Sequence, residues 1–81
     1  MAKVVLLGRL RDVAGWRERT LDAPPTTLSA LRALLAEEDP ALGEALSGKG
    51  VQAAVNKAVV RADAAIGPGD EIAFLPPMSG G

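Results

Sequence analysis

Hydrophobic residues change their spacing several times along this 81-residue chain, and each change marks an element. Lys3-Val4-Val5-Leu6-Leu7 is β-branched and aliphatic and stops at Gly8, which reads as a strand. Leu10 and Val13 are spaced i, i+3, so a short helical turn follows, with Gly15 placed to end it as a left-handed cap. Trp16–Leu21 alternates weakly and predicts a return strand. Leu28, Leu31, Leu34 and Leu35 then recur at helical spacing and form one apolar stripe. The hydroxyl of Thr26 or Thr27 is placed to accept from a free N–H at the helix start. The helix should stop near Asp39, because the residue before Pro40 disfavours helical backbone. Leu42 and Leu46 predict one more short turn, made irregular by Gly43, Gly48 and Gly50.

Val51–Val55 and Ala58–Arg61 read as strands joined by Asn56-Lys57. Asparagine tolerates the positive φ of a tight hairpin, so these two strands should pair. Gly67-Pro68-Gly69-Asp70 is a turn, Glu71–Leu75 a last strand, and Pro76-Pro77 end it because proline cannot donate to a ladder. The order β, β, α, β, β, β predicts an α+β fold with a mixed sheet and one main helix, the layout of the β-grasp (ubiquitin-like) roll. The domain should span residues 1–75, with a flexible tail over 76–81 that ends in Gly-Gly.

The first and last strands are apolar at both parities and should be central. Successive strand residues point to opposite faces, and one helix covers only one of them. The other face then presents aliphatic side chains as an interaction surface, unless residues 40–50 fold over it. Parity pairs Leu7 with Val5, and Leu75 with Ala73, without saying which face meets the helix.

Composition changes this picture by subtraction. The chain has no cysteine and no histidine. That excludes disulfides, a thiolate nucleophile, a zinc-finger site and a Ser-His-Asp triad, and no metal site is expected. The net charge is −1 and the pI about 5.2, so no basic field invites nucleic acid or an anionic membrane. The run Val4–Leu7 is too short for a membrane span or a signal peptide, and a soluble, cytoplasmic protein is expected. Gly8…Gly15 lacks the lysine and hydroxyl residue of a phosphate-binding loop.

What remains reactive is the terminal carboxylate of Gly81. Pro76-Pro77 favours an extended spacer, and Met78-Ser79-Gly80-Gly81 carries small or flexible residues beyond it. Glycines without β-carbons can thread a narrow channel. A carboxylate is a poor electrophile, because its charge repels nucleophiles and oxide does not leave. Activation as a mixed anhydride with AMP would let a sulfur or amine nucleophile attack. The chain is then the substrate of adenylation, with catalysis supplied by others.

With these residues in view, the chain resembles the MoaD family, the small sulfur-carrier subunits of molybdopterin synthase. The resemblance rests on the opening strand with Gly8-Arg9-Leu10-Arg11-Asp12-Val13-Ala14-Gly15, on Ala54-Val55-Asn56, and on the run from Gly69 to Gly81. It implies that Gly81 is adenylated by an E1-like activating enzyme using ATP and Mg²⁺, and then thiocarboxylated from a sulfur donor. It implies that Pro76, Pro77, Met78, Ser79 and Gly80 insert into a large subunit, where sulfur passes to cyclic pyranopterin monophosphate. The family's assembly is a heterotetramer, and no cofactor stays bound to the small subunit. Leu7, Val59 and Leu75 match apolar residues that dock on both partners, although the family often carries Phe at the first and last of these. Arg11 matches a recurrent arginine near the interface. The same tail chemistry would serve thiamine thiazole formation, tRNA thiolation or ubiquitin-like modification of lysines, and an adaptor with an idle tail is the remaining alternative.

Overall fold

The computed structural model describes residues 1–77. Five strands are formed: β1 (Ala2–Leu6), β2 (Glu18–Leu21), β3 (Gln52–Val55), β4 (Ala58–Val60) and β5 (Glu71–Leu75). Three helices accompany them: α1 (Arg9–Ala14), α2 (Leu28–Glu38) and α3 (Pro40–Leu46). The sheet order is β2-β1-β5-β3-β4, with β1 and β5 parallel and the other pairs antiparallel. The first and last strands are thus interior, each with both edges paired, as their apolar character requires.

Burial alternates along the two central strands. Ala2, Val4 and Leu6 of β1 and Ile72 and Phe74 of β5 face the core. Leu28, Leu31 and Leu35 of α2 pack on them, together with Leu10, Leu42, Leu46 and Ile66. Phe74 is fully buried, and the Arg32 guanidinium lies 5.7 Å from its ring centroid. At the β2 edge, Arg19 lies over Trp16 at 5.2 Å and binds Glu38 at 2.7 Å, which ties that edge to the end of α2.

The first three N–H groups of α2, which no helical carbonyl can reach, all find acceptors. Leu28 N–H donates to the Ala64 carbonyl at 2.8 Å, Ser29 N–H to Asp63 Oδ1 at 2.8 Å, and Ala30 N–H to Thr27 Oγ1 at 3.1 Å. Thr27, not Thr26, is therefore the cap. Gly15 adopts the left-handed conformation that ends α1, and Asn56 and Lys57 have the positive φ values of the expected hairpin turn.

One segment departs from the sequence pattern. Residues 40–46 form a seven-residue helix instead of a single irregular turn. Pro40 ends α2, but the same ring is favourable at the first position of the next helix. Asp39 caps that helix by accepting from Leu42 N–H at 3.2 Å. Gly43 does not break α3; a β-carbon there would collide with Ala36 of α2, so its absence lets the helices approach. The main helix thus has two short companions. The leucines of α3 join the same core as those of α2, so this segment does not cover the opposite sheet face.

Two carboxylates hold turns together. Asp70 accepts from Asn56 Nδ2 at 3.0 Å and from Gly67 N–H at 2.8 Å, and Asn56 Oδ1 accepts from Glu71 N–H at 2.9 Å. Asp63 accepts from Ser29 Oγ at 2.7 Å as well as from its N–H. These hydrogen bonds hold Asp63, chiefly through the Ser29 side chain, and Asp70, chiefly through Asn56, below the usual 3.8. A lowered folded-state pKa contributes stability above 3.8 that is lost as pH falls below it. Acid titration of unfolding should therefore show stability declining below about pH 4, and the double variant Asp63→Asn/Asp70→Asn should flatten that decline. Phe74→Ala should cost about 3–5 kcal/mol in denaturant unfolding, because it empties the centre of the core.

Candidate functional site

The face of the sheet opposite the helices follows from strand parity. Lys3, Val5 and Leu7 alternate with the buried residues of β1, and Glu71, Ala73 and Leu75 with those of β5. Ala54 lies across from Ala73, and Val59 across from Ala54, so Val59, Ala54, Ala73 and Val5 form one cross-strand row. Leu75, paired with Gln52, starts the next row, and Leu7 lies just past the end of β1, held by its N–H to the Phe74 carbonyl at 3.1 Å. Leu7 is 39% exposed and Val59 48%. The structure thus brings Leu7, Val59 and Leu75 onto one open face, and adds Val5, Ala54 and Ala73 between them.

Polar side chains border this face: Glu18 stands opposite Val5 and exposed Gln52 opposite Leu75, and its lysine lies at a single end. Lys3 sits between Glu18 at 3.7 Å and Glu71 at 3.9 Å, at the end farthest from Leu7 and Leu75. Arg11 is not on the sheet. It lies exposed on α1, with its Nε 4.0 Å from Asp12 Oδ1. Val13, also on α1, is an apolar surface residue, 39% exposed. It lines a cleft of about 420 Å³ on the other side of the tail root, together with Arg9, Lys49 and Pro77.

The tail begins at the apolar end. Pro76 is half-buried and Pro77 exposed. Met78, Ser79, Gly80 and Gly81 lie outside the described residues, as does most of the segment expected to be flexible. Among the described residues, no group of three or more acidic, cysteine or histidine side chains could hold a metal ion, and no helix is long and apolar enough to cross a membrane.

Known proteins share this fold. The ThiS family model matches residues 4–81. The molybdopterin synthase sulfur carrier subunit of Escherichia coli (strain K12) is 35% identical over 81 residues, covering 100% of both chains. The structure of SAMP1 from Haloferax volcanii matches with a TM-score of 0.76 at 31% identity, covering 99% of this chain and 98% of that one. Small archaeal modifier protein 1 of Methanosarcina acetivorans matches with a TM-score of 0.83 at 26% identity, over 99% and 95%. The fold is the β-grasp roll, and with the family model matched from the first strand to the last residue, the chain belongs to the ThiS family.

Proposed function

We propose that this chain is a sulfur carrier that works as the small subunit of a molybdopterin synthase. The observation that carries the reading is its end-to-end match with a sulfur carrier subunit, a match that includes the Gly-Gly terminus. In the proposed cycle the Gly81 carboxylate attacks the α-phosphorus of ATP, with Mg²⁺, on an E1-like activating enzyme. Pyrophosphate leaves and an acyl-adenylate forms. Hydrosulfide from a sulfur donor then attacks the acyl carbon and AMP leaves, giving the thiocarboxylate. Pro76 to Gly80 carry that group into a large subunit, where sulfur passes to cyclic pyranopterin monophosphate and water restores the Gly81 carboxylate. We place this cycle in the cytoplasm, where the activating enzyme would find ATP. The open face around Leu7, Val59 and Leu75 supports docking, because a contiguous apolar patch is stabilised when a partner removes it from water. Arg11 would add a charge contact at the margin.

A second reading has its own support. The matched archaeal proteins are named modifier proteins. A lysine amine attacking the same acyl-adenylate would give an isopeptide bond in place of the thiocarboxylate.

Intact mass measurement tests the first reading. After incubation with the activating enzyme, ATP, Mg²⁺ and a sulfur source, the protein should gain the mass of one oxygen-to-sulfur exchange. Deleting Gly81 should abolish sulfur transfer and leave the unfolding transition unchanged; transfer by the shortened protein would overturn the reading, and branched Gly-Gly adducts on cellular lysines would favour the second. Leu7→Lys and Val59→Lys should each weaken large-subunit binding about tenfold, or ~1.4 kcal/mol, in calorimetry. Both sites are exposed, so stability should move by less than about 1 kcal/mol.

A further inference from the structure

The sheet register places two glycines directly beside the two prolines that open the tail. β1 runs parallel to β5 with Leu6 opposite Phe74, so two residues on, Gly8 comes opposite Pro76. β3 runs antiparallel with Gln52 opposite Leu75, so two residues back, Gly50 comes opposite Pro77. One strand leaves the sheet at this end and the other begins there. Their flanking residues therefore grip the tail root from both sides.

Neither position has room for a side chain. A β-carbon on Gly8 would lie 2.8 Å from Pro76 Cγ, and one on Gly50 would lie 2.8 Å from Pro77 Cβ. Ordinary contact begins at 3.4 Å, so each would be 3.4 − 2.8 = 0.6 Å too close. Both glycines also have positive φ, 59° and 88°. The body around Gly8 is fixed, because Leu7 N–H donates to the Phe74 carbonyl and the Gly8 carbonyl accepts from Arg11 N–H at 3.1 Å. Val51 N–H donates to the Gly48 carbonyl across Gly50. Pro77 is exposed, so the tail is the part that would yield.

We propose that Gly8 and Gly50 are positioning residues that clasp the Pro76-Pro77 rings and set the direction in which the chain leaves the domain. Proline has one free backbone dihedral, so two gripped prolines form a stiff root. The glycines touch neither ATP nor sulfur acceptor; they act through the prolines on the delivery of Gly81. The functional half of this proposal rests on the sulfur-carrier reading.

The test compares Gly8→Ala and Gly50→Ala with Gly69→Ala. Gly69 has φ 89° and nothing within 4 Å of where a β-carbon would stand, so it carries the same backbone strain with no contact to the tail. In the free protein, nuclear Overhauser contacts between position 50 and the Pro77 ring, and between position 8 and the Pro76 ring, should persist in wild type and Gly69→Ala. They should be lost at the substituted side of the clasp in the other two. With the activating enzyme, kcat for pyrophosphate release should fall tenfold or more in Gly8→Ala and Gly50→Ala, since a displacement of about 1 Å costs roughly 10²-fold. The KM for the carrier, set by the sheet face, should stay within about twofold, because those contacts are made equally before and during reaction. Equal loss in all three variants, or unchanged contacts and kcat at positions 8 and 50, would overturn the proposal. Pro77→Gly opens the clasp from the exposed side without straining residue 50, and it should reproduce the kcat loss if Gly50→Ala fails to fold. A wild-type protein that is not adenylated would refute the sulfur-carrier reading alone, while the nuclear Overhauser contacts still decide the clasp.

Discussion

The parallel pairing of β1 with β5 is the constraint on which the rest of the structure depends. It puts Val4 beside Ile72 and Leu6 beside Phe74 on the core face, and Val5 beside Ala73 on the other. A slip of one residue would exchange the two faces of either strand. Leucines from α1, α2 and α3 are buried with Val4, Leu6, Ile72 and Phe74. The helices thus cover one side of the sheet, and Leu7 and Val59 stay exposed on the other. A sheet that is apolar on both faces with helices on only one keeps an unsatisfied surface, and a partner protein can remove it from water.

The same pairing decides where the tail starts relative to that surface. Because β1 and β5 are parallel, Leu7 and Leu75 lie at the end from which Pro76 leaves. The paired Lys3 and Glu71 lie at the opposite end, with Glu18 one row nearer, beside Val5. A partner that binds the apolar end is therefore beside the tail root, while charge and hydration discourage docking at the far end. The polar side chains that look reactive in isolation are used inside the fold. Asp63 closes the start of α2, Asp70 fastens a turn, and Arg19 joins β2 to α2.

Much of this was legible because local chemistry decided it. Glu71–Leu75 is bounded by a Gly-Pro-Gly-Asp turn and by Pro-Pro, and β5 has those limits. Asn56-Lys57 forms the expected turn, and a threonine caps α2. What local pattern could not supply was partnership at a distance. Val5, Leu6 and Leu7 are equally apolar, so only packing of the helices tells the core face from the open one. Pro40 carries both a stop signal and a start signal, and Asp39 serves both helices. Gly43, Gly8 and Gly50 read as breaks in pattern, yet each stands where another segment comes too close for a β-carbon. The partners of Gly8 and Gly50 are far away in sequence, beyond the range of any periodicity.

In the proposed cycle, what this chain must optimise is the delivery of the Gly81 carbonyl. Four residues follow Pro77, and a fully extended chain spans at most about 3.5 Å per residue, or ~14 Å in all. In that cycle, a partner acting on Gly81 would bring its reacting groups within that radius of the tail root. The apolar end of the open face lies beside the same root, so docking and delivery are geometrically coupled. Freeing the two prolines would move the pivot back to Leu75 and spread the carbonyl through a larger volume, lowering its effective concentration at a docked site. A clasped root as proposed does the reverse, so that a partner docked on the sheet face would meet Gly81 within a smaller volume.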